Sequence, residues 1–239
     1  DERGNAAIAN LKREGVETKH IARAKTHTGV ALILVDGSGE KSIGANMGAN
    51  AKLTASHVQA AREVISSCKV LLLQLEVPDA ALLAAAKLKR DGRVVLDPAP
   101  PRKLAKSFLR WIEVIRPNSS EAEFLTGVKV CDRKSARRAA DILLKSVSVA
   151  IVQTGEGGDL LVSKEEEVFL PHFKVKAVDA TGAGDAFAAG LSVGLAEGKS
   201  LTNAGRMASA TAALKTTKMG AQAGLPTRHA LERFLKQQS

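Results

Sequence analysis

The chain has 239 residues, 45% of them apolar and 25% charged, with a formal net charge of +10. That length can bury one large core, and the composition excludes disordered, collagen-like and disulfide-scaffold classes. No apolar run reaches the roughly 18 residues that a membrane-spanning helix needs, so no membrane partner is expected.

With no tyrosine, one tryptophan and six phenylalanines, the positive charge lacks the aromatic platforms of a single-strand binder. It suits anionic small molecules such as nucleotides better than nucleic acid. Cys68 and Cys131 lie far apart in no metal spacing and read as free thiols of a reducing, cytoplasmic compartment.

The first 16 residues read as an amphipathic helix ending at Gly15, not as a signal peptide. A strand from Gly29 to Val35, the turn Asp36-Gly37-Ser38-Gly39 and a second strand from Glu40 follow, since Asp-Gly between strand-like runs is a hairpin signal. Past "GANAKLT" the pattern changes. Short apolar runs at Val70–Leu75, Arg93–Pro98, Ile112–Pro117 and Val149–Thr154 alternate with helical segments. Thr54, Pro78 and Ser119 sit where helices should begin. The basic clusters Lys87–Arg93 and Cys131–Lys145 read as polar faces of amphipathic helices, the second with Ala139, Ile142 and Leu143 on its apolar stripe.

Continuous apolar runs spaced by helices predict buried parallel strands, hence a doubly wound, mostly parallel α/β sheet. In such sheets ligands gather beyond the strands' carboxyl ends. Those positions carry Glu76, Asp97, Asn118 and Gly155-Glu156-Gly157-Gly158.

The stretch "VDATGAGDAFAAG", Val178 to Gly190, leads a glycine turn into an alanine-rich helix. Gly182 and Gly184 permit close approach of a ligand, and a helix N-terminus offers unpaired N–H groups to phosphate. Asp185 beside that anion site makes chemical sense as a base for an attacking hydroxyl. A plain N-capping aspartate is the alternative on spacing alone.

"DATGAGDAF" resembles the C-terminal signature of the ribokinase family of carbohydrate kinases. "TGVALILVDGSGEKSIGANMGANAKLT", "LLLQLEVP", "DPAP", "RPNSSEAEFLTG", "VQTGEGG" and "KMGAQAGLP" resemble further segments of that family, in order, so the likeness covers essentially the whole chain. It implies ATP-dependent phosphorylation of D-ribose or a related sugar, with magnesium and a monovalent cation, usually potassium. Asp185 would be the catalytic base, and Gly182, Ala183 and Gly184 would form the anion hole. Asn118 and Glu121 would order nucleotide phosphate and magnesium. Gln153, Thr154, Gly155, Glu156, Gly157, Gly158 and Ser209 would border the nucleotide, and Glu76 would contact the sugar. Asp179, Thr181, Lys215, Lys218, Gly220 and Gly224 would surround potassium.

The same likeness implies one domain over 1–239 that lacks the family's N-terminal sugar-binding part, with residues 28–46 as half of a β lid. A homodimer is expected of the full-length protein. A kinase for another sugar or a nucleoside, and a nucleotide-binding remnant without catalysis, remain as alternatives.

Overall fold

The computed structural model describes residues 1–35, 41–89 and 91–238; the expected turn at 36–39 and the strand start at Glu40 lie outside the described residues. Helix α1 (Glu2–Arg13) precedes an antiparallel hairpin, β1 (Val30–Val35) and β2 (Lys41–Asn46), in which Val30 pairs with Asn46. Asp1 caps α1 and also accepts from the amide and hydroxyl of Thr28, which ties the helix to the hairpin's entry. Helices α2 (Ala55–Ala60) and α3 (Arg62–Ser67) lead into the main sheet. As expected, Thr54 caps α2.

The main sheet runs β3 (Val70–Gln74), β4 (Arg93–Asp97), β5 (Val114–Ile115), β6 (Val149–Gln153), β7 (Gly158–Val162) and β8 (Glu167–Pro171), side by side in that order. The first four strands are parallel, and β7 and β8 return antiparallel. Helices α4 (Asp79–Leu88), α5 (Lys106–Leu109), α6 (Ser119–Thr126) and α7 (Arg133–Leu143) connect the parallel strands, and α8 (Ala183–Ala196), α9 (Leu201–Thr216) and α10 (Arg228–Gln237) follow β8.

Side chains alternate across a strand, and here both faces are covered. Val94, Leu96, Ile115, Ala150 and Val152 pack with α4, α6 and α7. Val95, Val114, Val149 and Ile151 point the other way, onto Phe187, Leu191 and Leu195 of α8 and Ala204 and Ala208 of α9. The continuous apolar runs therefore have the predicted cause, and the fold is the expected mostly parallel α/β sheet flanked by helices, with a small antiparallel sheet.

Helices α8 and α9 meet through small residues. A Cβ on Gly190 would lie 3.0 Å from Ala208 Cα, and one on Gly194 2.9 Å from Ala204 Cα. The paired positions run in opposite directions along the two helices, so the N-terminus of α8 and the C-terminus of α9 share one end of the molecule.

Some expectations need correction. The regular strand in the run Ile112–Pro117 is Val114–Ile115: the Ile112 amide closes the preceding turn on Leu109 O, while the Glu113 and Arg116 amides still donate to Val94 O and Leu96 O of β4. On α7 the buried stripe is Ala136, Ala139, Ala140 and Leu143, and Ile142 lies at its edge, 38% exposed. Lys89 is not on a polar helix face: it follows α4, is 4% exposed and donates to the carbonyls of Ser66 and Asp91.

Candidate active site

The opening of α8 is built as the sequence predicts. Gly182 is its N-cap at φ +80°, a left-handed conformation that favours glycine, and a Cβ there would lie 3.1 Å from Ala221 O. The Ala183 amide donates to Ala180 O at 3.1 Å, so this residue shapes the turn instead of offering its N–H to an anion as expected. Gly184 and Asp185 follow in the first helical turn, where N–H groups have no carbonyl one turn back. Those two amides, with the helix dipole behind them, are placed where they could donate to an anion.

Asp185 faces a hollow of about 260 Å³ that it shares with Gln74 and Asp97 from the ends of β3 and β4. The Gln74 amide donates to Asp185 Oδ1 and to Asp97 Oδ2, each at 3.0 Å. One neutral donor thus bridges two carboxylates that would otherwise repel. Burial raises the Asp97 carboxyl above its ordinary value, with Asp185 adding to the rise while Gln74 and Arg116 oppose it. Glu76, two residues past Gln74, is raised by burial and by the nearby Asp185 and Asp97 carboxylates. Two carboxylates line this hollow and the Glu76 carboxyl lies close enough to feel both, an arrangement that suits a ligand rich in hydroxyl donors.

On the other side of Gly184 lies a cleft of about 770 Å³. Of the expected nucleotide residues, Asn118, Gln153, Glu156, Gly157, Gly184 and Ser209 line it. Thr154, Gly155 and Gly158 do not; they build its wall. The Thr154 amide and hydroxyl both donate to Gly158 O, and a Cβ on Gly155 would lie 2.3 Å from Cys131 O. Gly157 has φ +71°, which completes the tight return into β7. Ser209 is buried, and its hydroxyl donates to Pro171 O at 3.3 Å. Apolar Phe173, Val175, Ala177, Ala212 and Ala213 supply a flat, greasy side, and Lys174 and Arg116 bring positive charge.

Arg116 anchors the wall between cleft and core. Its Nη2 lies 3.0 Å from Asp159 Oδ1, and its guanidinium stacks 4.3 Å from the Phe187 ring centroid. Asp159 is fully buried, and its second oxygen lies 3.0 Å from His172 Nε2. Burial pushes the Asp159 carboxyl up, and Arg116 with His172 outweighs it, leaving the group below its ordinary value.

Glu121 and Asn118 form a reciprocal cap at the start of α6. Asn118 Oδ1 accepts from the Glu121 amide at 2.9 Å, and Glu121 Oε2 accepts from the Asn118 amide at 2.8 Å. Asn118 Nδ2 reaches Glu121 Oε1 at 2.7 Å. Glu121 lines neither cavity; it locks Asn118, which lines the cleft. Burial raises its carboxyl, with the Asp97 charge adding to the rise. Each Glu121 oxygen keeps a lone pair, which fits a role in ordering a magnesium-bound water. Among the described residues no cluster of three or more His, Cys, Asp or Glu could hold a metal ion. A divalent ion would therefore be held chiefly by phosphate oxygens, as is usual for magnesium.

The expected potassium site does not fit the residues present. Asp179 Oδ1 accepts from the Thr181 amide at 2.8 Å, and Oδ2 accepts from the Gly220 amide at 2.9 Å. The main-chain oxygen of Asp179 accepts from Lys215 Nζ at 2.8 Å. Thr181, through hydroxyl and amide, and the Gly220 amide hold the Asp179 carboxyl far below the usual range. Gly224 offers no side-chain ligand, and its Cα packs so closely on Lys215 O that a Cβ would lie 2.1 Å from that oxygen. Lys218 and Gly220 are exposed at the rim of this loop.

Gln74, Arg116, Asp159 and His172 were not singled out in the sequence. Gln74, Arg116 and His172 share a signal, a polar residue at the end of or just beyond an apolar strand ("LLLQ", "VIR" and "LPH"), while Asp159 sits at the start of β7.

The pfkB family carbohydrate kinase model matches residues 1–228. Ribokinase of Haemophilus influenzae is 39% identical over 228 residues, which cover 94% of this chain and 74% of that protein. The ribokinase structure from Thermotoga maritima superposes with a TM-score of 0.85 at 35% identity, covering 99% of this chain and 78% of that one. Arabidopsis thaliana ribokinase complexed with ribose and ATP gives a TM-score of 0.84 at 28% identity, over 93% of this chain and 74% of that one. The chain thus spans about three quarters of these relatives. A match that runs through nearly all of the sequence, carried on the same fold, establishes that the chain belongs to the pfkB family of carbohydrate kinases.

Proposed function

We infer that the chain transfers the γ-phosphoryl group of ATP to the 5-hydroxyl of D-ribose, giving ADP and ribose 5-phosphate. One observation carries this reading: Gly184 borders the large cleft while Asp185, the next residue, borders the acidic hollow. A phosphate at the helix N-terminus and a hydroxyl at the carboxylate would then meet at one turn of α8. The relatives named ribokinase, one of them holding ribose and ATP, support the choice of sugar.

Asp185 takes the proton of the attacking hydroxyl as its oxygen bonds to the γ-phosphorus, and the bond to the ADP oxygen breaks. The Gly184 and Asp185 amides stabilise the charge on the transferring group. Gln74 holds Asp185 toward the hydroxyl, and Glu76 and Asp97 accept from other hydroxyls of the sugar. Asn118, steadied by Glu121, faces the phosphates across the cleft, while the small residues Gly157, Ala212 and Ala213 admit the base and ribose of ATP. Magnesium, carried with ATP, would neutralise the triphosphate and polarise the reacting phosphate. The hairpin of β1 and β2 would close over the sugar as part of a lid, and a homodimer in the cytoplasm belongs to the same reading.

The test is ADP release with MgATP, with and without D-ribose, for the unmodified chain and Asp185→Ala. Ribose-dependent release should fall by about 10²–10⁴ in the variant. A variant with undiminished turnover removes Asp185 from the mechanism. ATP binding without ribose-dependent release favours the non-catalytic alternative, and release with a different acceptor in a panel of sugars and nucleosides reassigns the substrate.

A further inference from the structure

Lys215 is the penultimate residue of α9, and none of its surface is exposed. A buried ammonium is expensive unless oxygen atoms compensate it. Among the described residues its compensation comes from Asp179, through the carbonyl at 2.8 Å and, more distantly, Oδ2 at 3.9 Å. The same segment is held from a second side, because the Val178 and Asp179 amides both donate to Thr216 O, at 2.7 and 3.0 Å. Asp179 in turn braces Thr181 and Gly220 through its two carboxylate oxygens. Three residues after Asp179 comes Gly182, the cap of the anion-binding helix. A fixed positive charge therefore lies under the turn that aims Gly184 and Asp185.

Gly224 matches this arrangement. With a Cβ 2.1 Å from Lys215 O, a hydroxyl-bearing residue at 224 could not enter without shifting the α9 backbone. The lysine and the glycine form a matched pair: one brings the charge, and the other removes a side chain that could have served as a cation ligand.

We propose that the Lys215 ammonium is the resident cation of this site, standing in for a monovalent metal ion, positioning the Asp179–Gly182 turn and freeing turnover from any need for added potassium. Lys215 is a positioning residue, since it acts through Asp179 and not on substrate. The proposal rests on the kinase reading for its rate effect, though not for the placement of the charge.

Two measurements test it together. Ribose-dependent ADP release is followed in buffer whose only cations are magnesium and tetramethylammonium, then with saturating potassium chloride. The unmodified chain should turn over equally in both. Lys215→Ala should lose about tenfold or more in kcat, equivalent to ~1.4 kcal/mol in the barrier, and regain much of it with potassium or ethylammonium. Separately, crystals soaked in rubidium chloride should show no anomalous peak beside Asp179 in the unmodified chain and a peak there in Lys215→Ala.

Marked potassium stimulation of the unmodified chain, or a rubidium peak at its Asp179, overturns the proposal. So does a Lys215→Ala variant that is fully active without potassium. Should Lys215→Ala not fold, the unmodified chain's potassium response and rubidium map still decide. If that chain releases no ADP with any sugar, the kinase reading fails, and the rubidium map alone decides where the charge sits.

Discussion

Replacing Arg116 by methionine should unfold the wall of the nucleotide cleft more than any single exposed charge could. Arg116 is 6% exposed and its partner Asp159 is 0% exposed, with 3.0 Å between Nη2 and Oδ1. Methionine fills similar volume but leaves a buried carboxylate with the His172 ring nitrogen as its remaining side-chain partner among the described residues. Breaking one side of a buried pair costs about 3–5 kcal/mol. Loss of the contact over Phe187, at 4.3 Å from the ring centroid, adds roughly 0.5–2 kcal/mol. A total near 5 kcal/mol corresponds to a fall in Tm of about 10–20 °C for a chain of this size. Urea and thermal unfolding of the ATP-free protein would measure it. The loss should depend on pH. Because the Asp159 carboxyl is held low, its contribution is present above the ordinary carboxylate pKa and disappears as acid protonates the folded protein. The gap between the two proteins should therefore close toward low pH. Asp159→Leu added to Arg116→Met should restore much of the stability, since no unpaired charge remains buried. A single variant within about 1 kcal/mol of the parent, or a double variant as unstable as the sum of its parts, would refute the account.

The two glycines of the anion turn should separate stability from function. Gly182→Ala forces a Cβ into a left-handed backbone 3.1 Å from Ala221 O, so it should cost about 1–2 kcal/mol in urea unfolding and also slow turnover. Gly184→Ala meets Arg116 Nη1 at an ordinary 3.8 Å and should leave the protein as stable or raise it by about 0.5–1 kcal/mol. Its methyl would narrow the cleft, raising KM for ATP in steady-state assays. Asp97→Asn should stabilise the fold while impairing catalysis. The Asp97 carboxyl is raised, so its favourable share is complete in acid and is lost as pH climbs through the raised value. The variant's advantage in Tm should thus grow toward pH 8, to about 2–4 °C per kcal/mol gained, and vanish in acid. A flat difference across pH would show that Asp97 is not the group responsible.

The parallel strands were legible because burial on both faces leaves runs such as "VLLLQ" and "RVVLD" with no solvent side to interrupt them. The anion turn was legible because glycine, helix start and carboxylate are contiguous at Gly182–Asp185. The antiparallel pair β7 and β8 was not: their link, Ser163 to Glu166, holds neither glycine nor asparagine, and the turn closes through the Ser163 hydroxyl accepting from the Glu165 and Glu166 amides. Arg116 escaped notice because a buried charge inside an apolar run looks like a strand boundary until its partner, 43 residues on, is known. Lys215 was read for its carbonyl alone, since nothing local says where a long side chain ends. Contacts made across the fold carry no mark in the residues beside them.

The close seam between α8 and α9 sets where this enzyme tolerates change. Gly194 lies nine positions beyond Asp185, roughly 14 Å along the helix at 1.5 Å per residue, and lines neither the cleft nor the hollow. Yet a methyl there would meet Ala204 Cα at 2.9 Å and lever the two helices apart. The base at the start of α8 and the lysine near the end of α9 would then drift relative to each other while every polar contact within each helix stayed intact. Drift among homologues should accordingly be slow along this seam of glycine and alanine and faster on the outer helix faces. Loss of activity from random mutagenesis should map onto the seam as densely as onto the residues that meet the substrates.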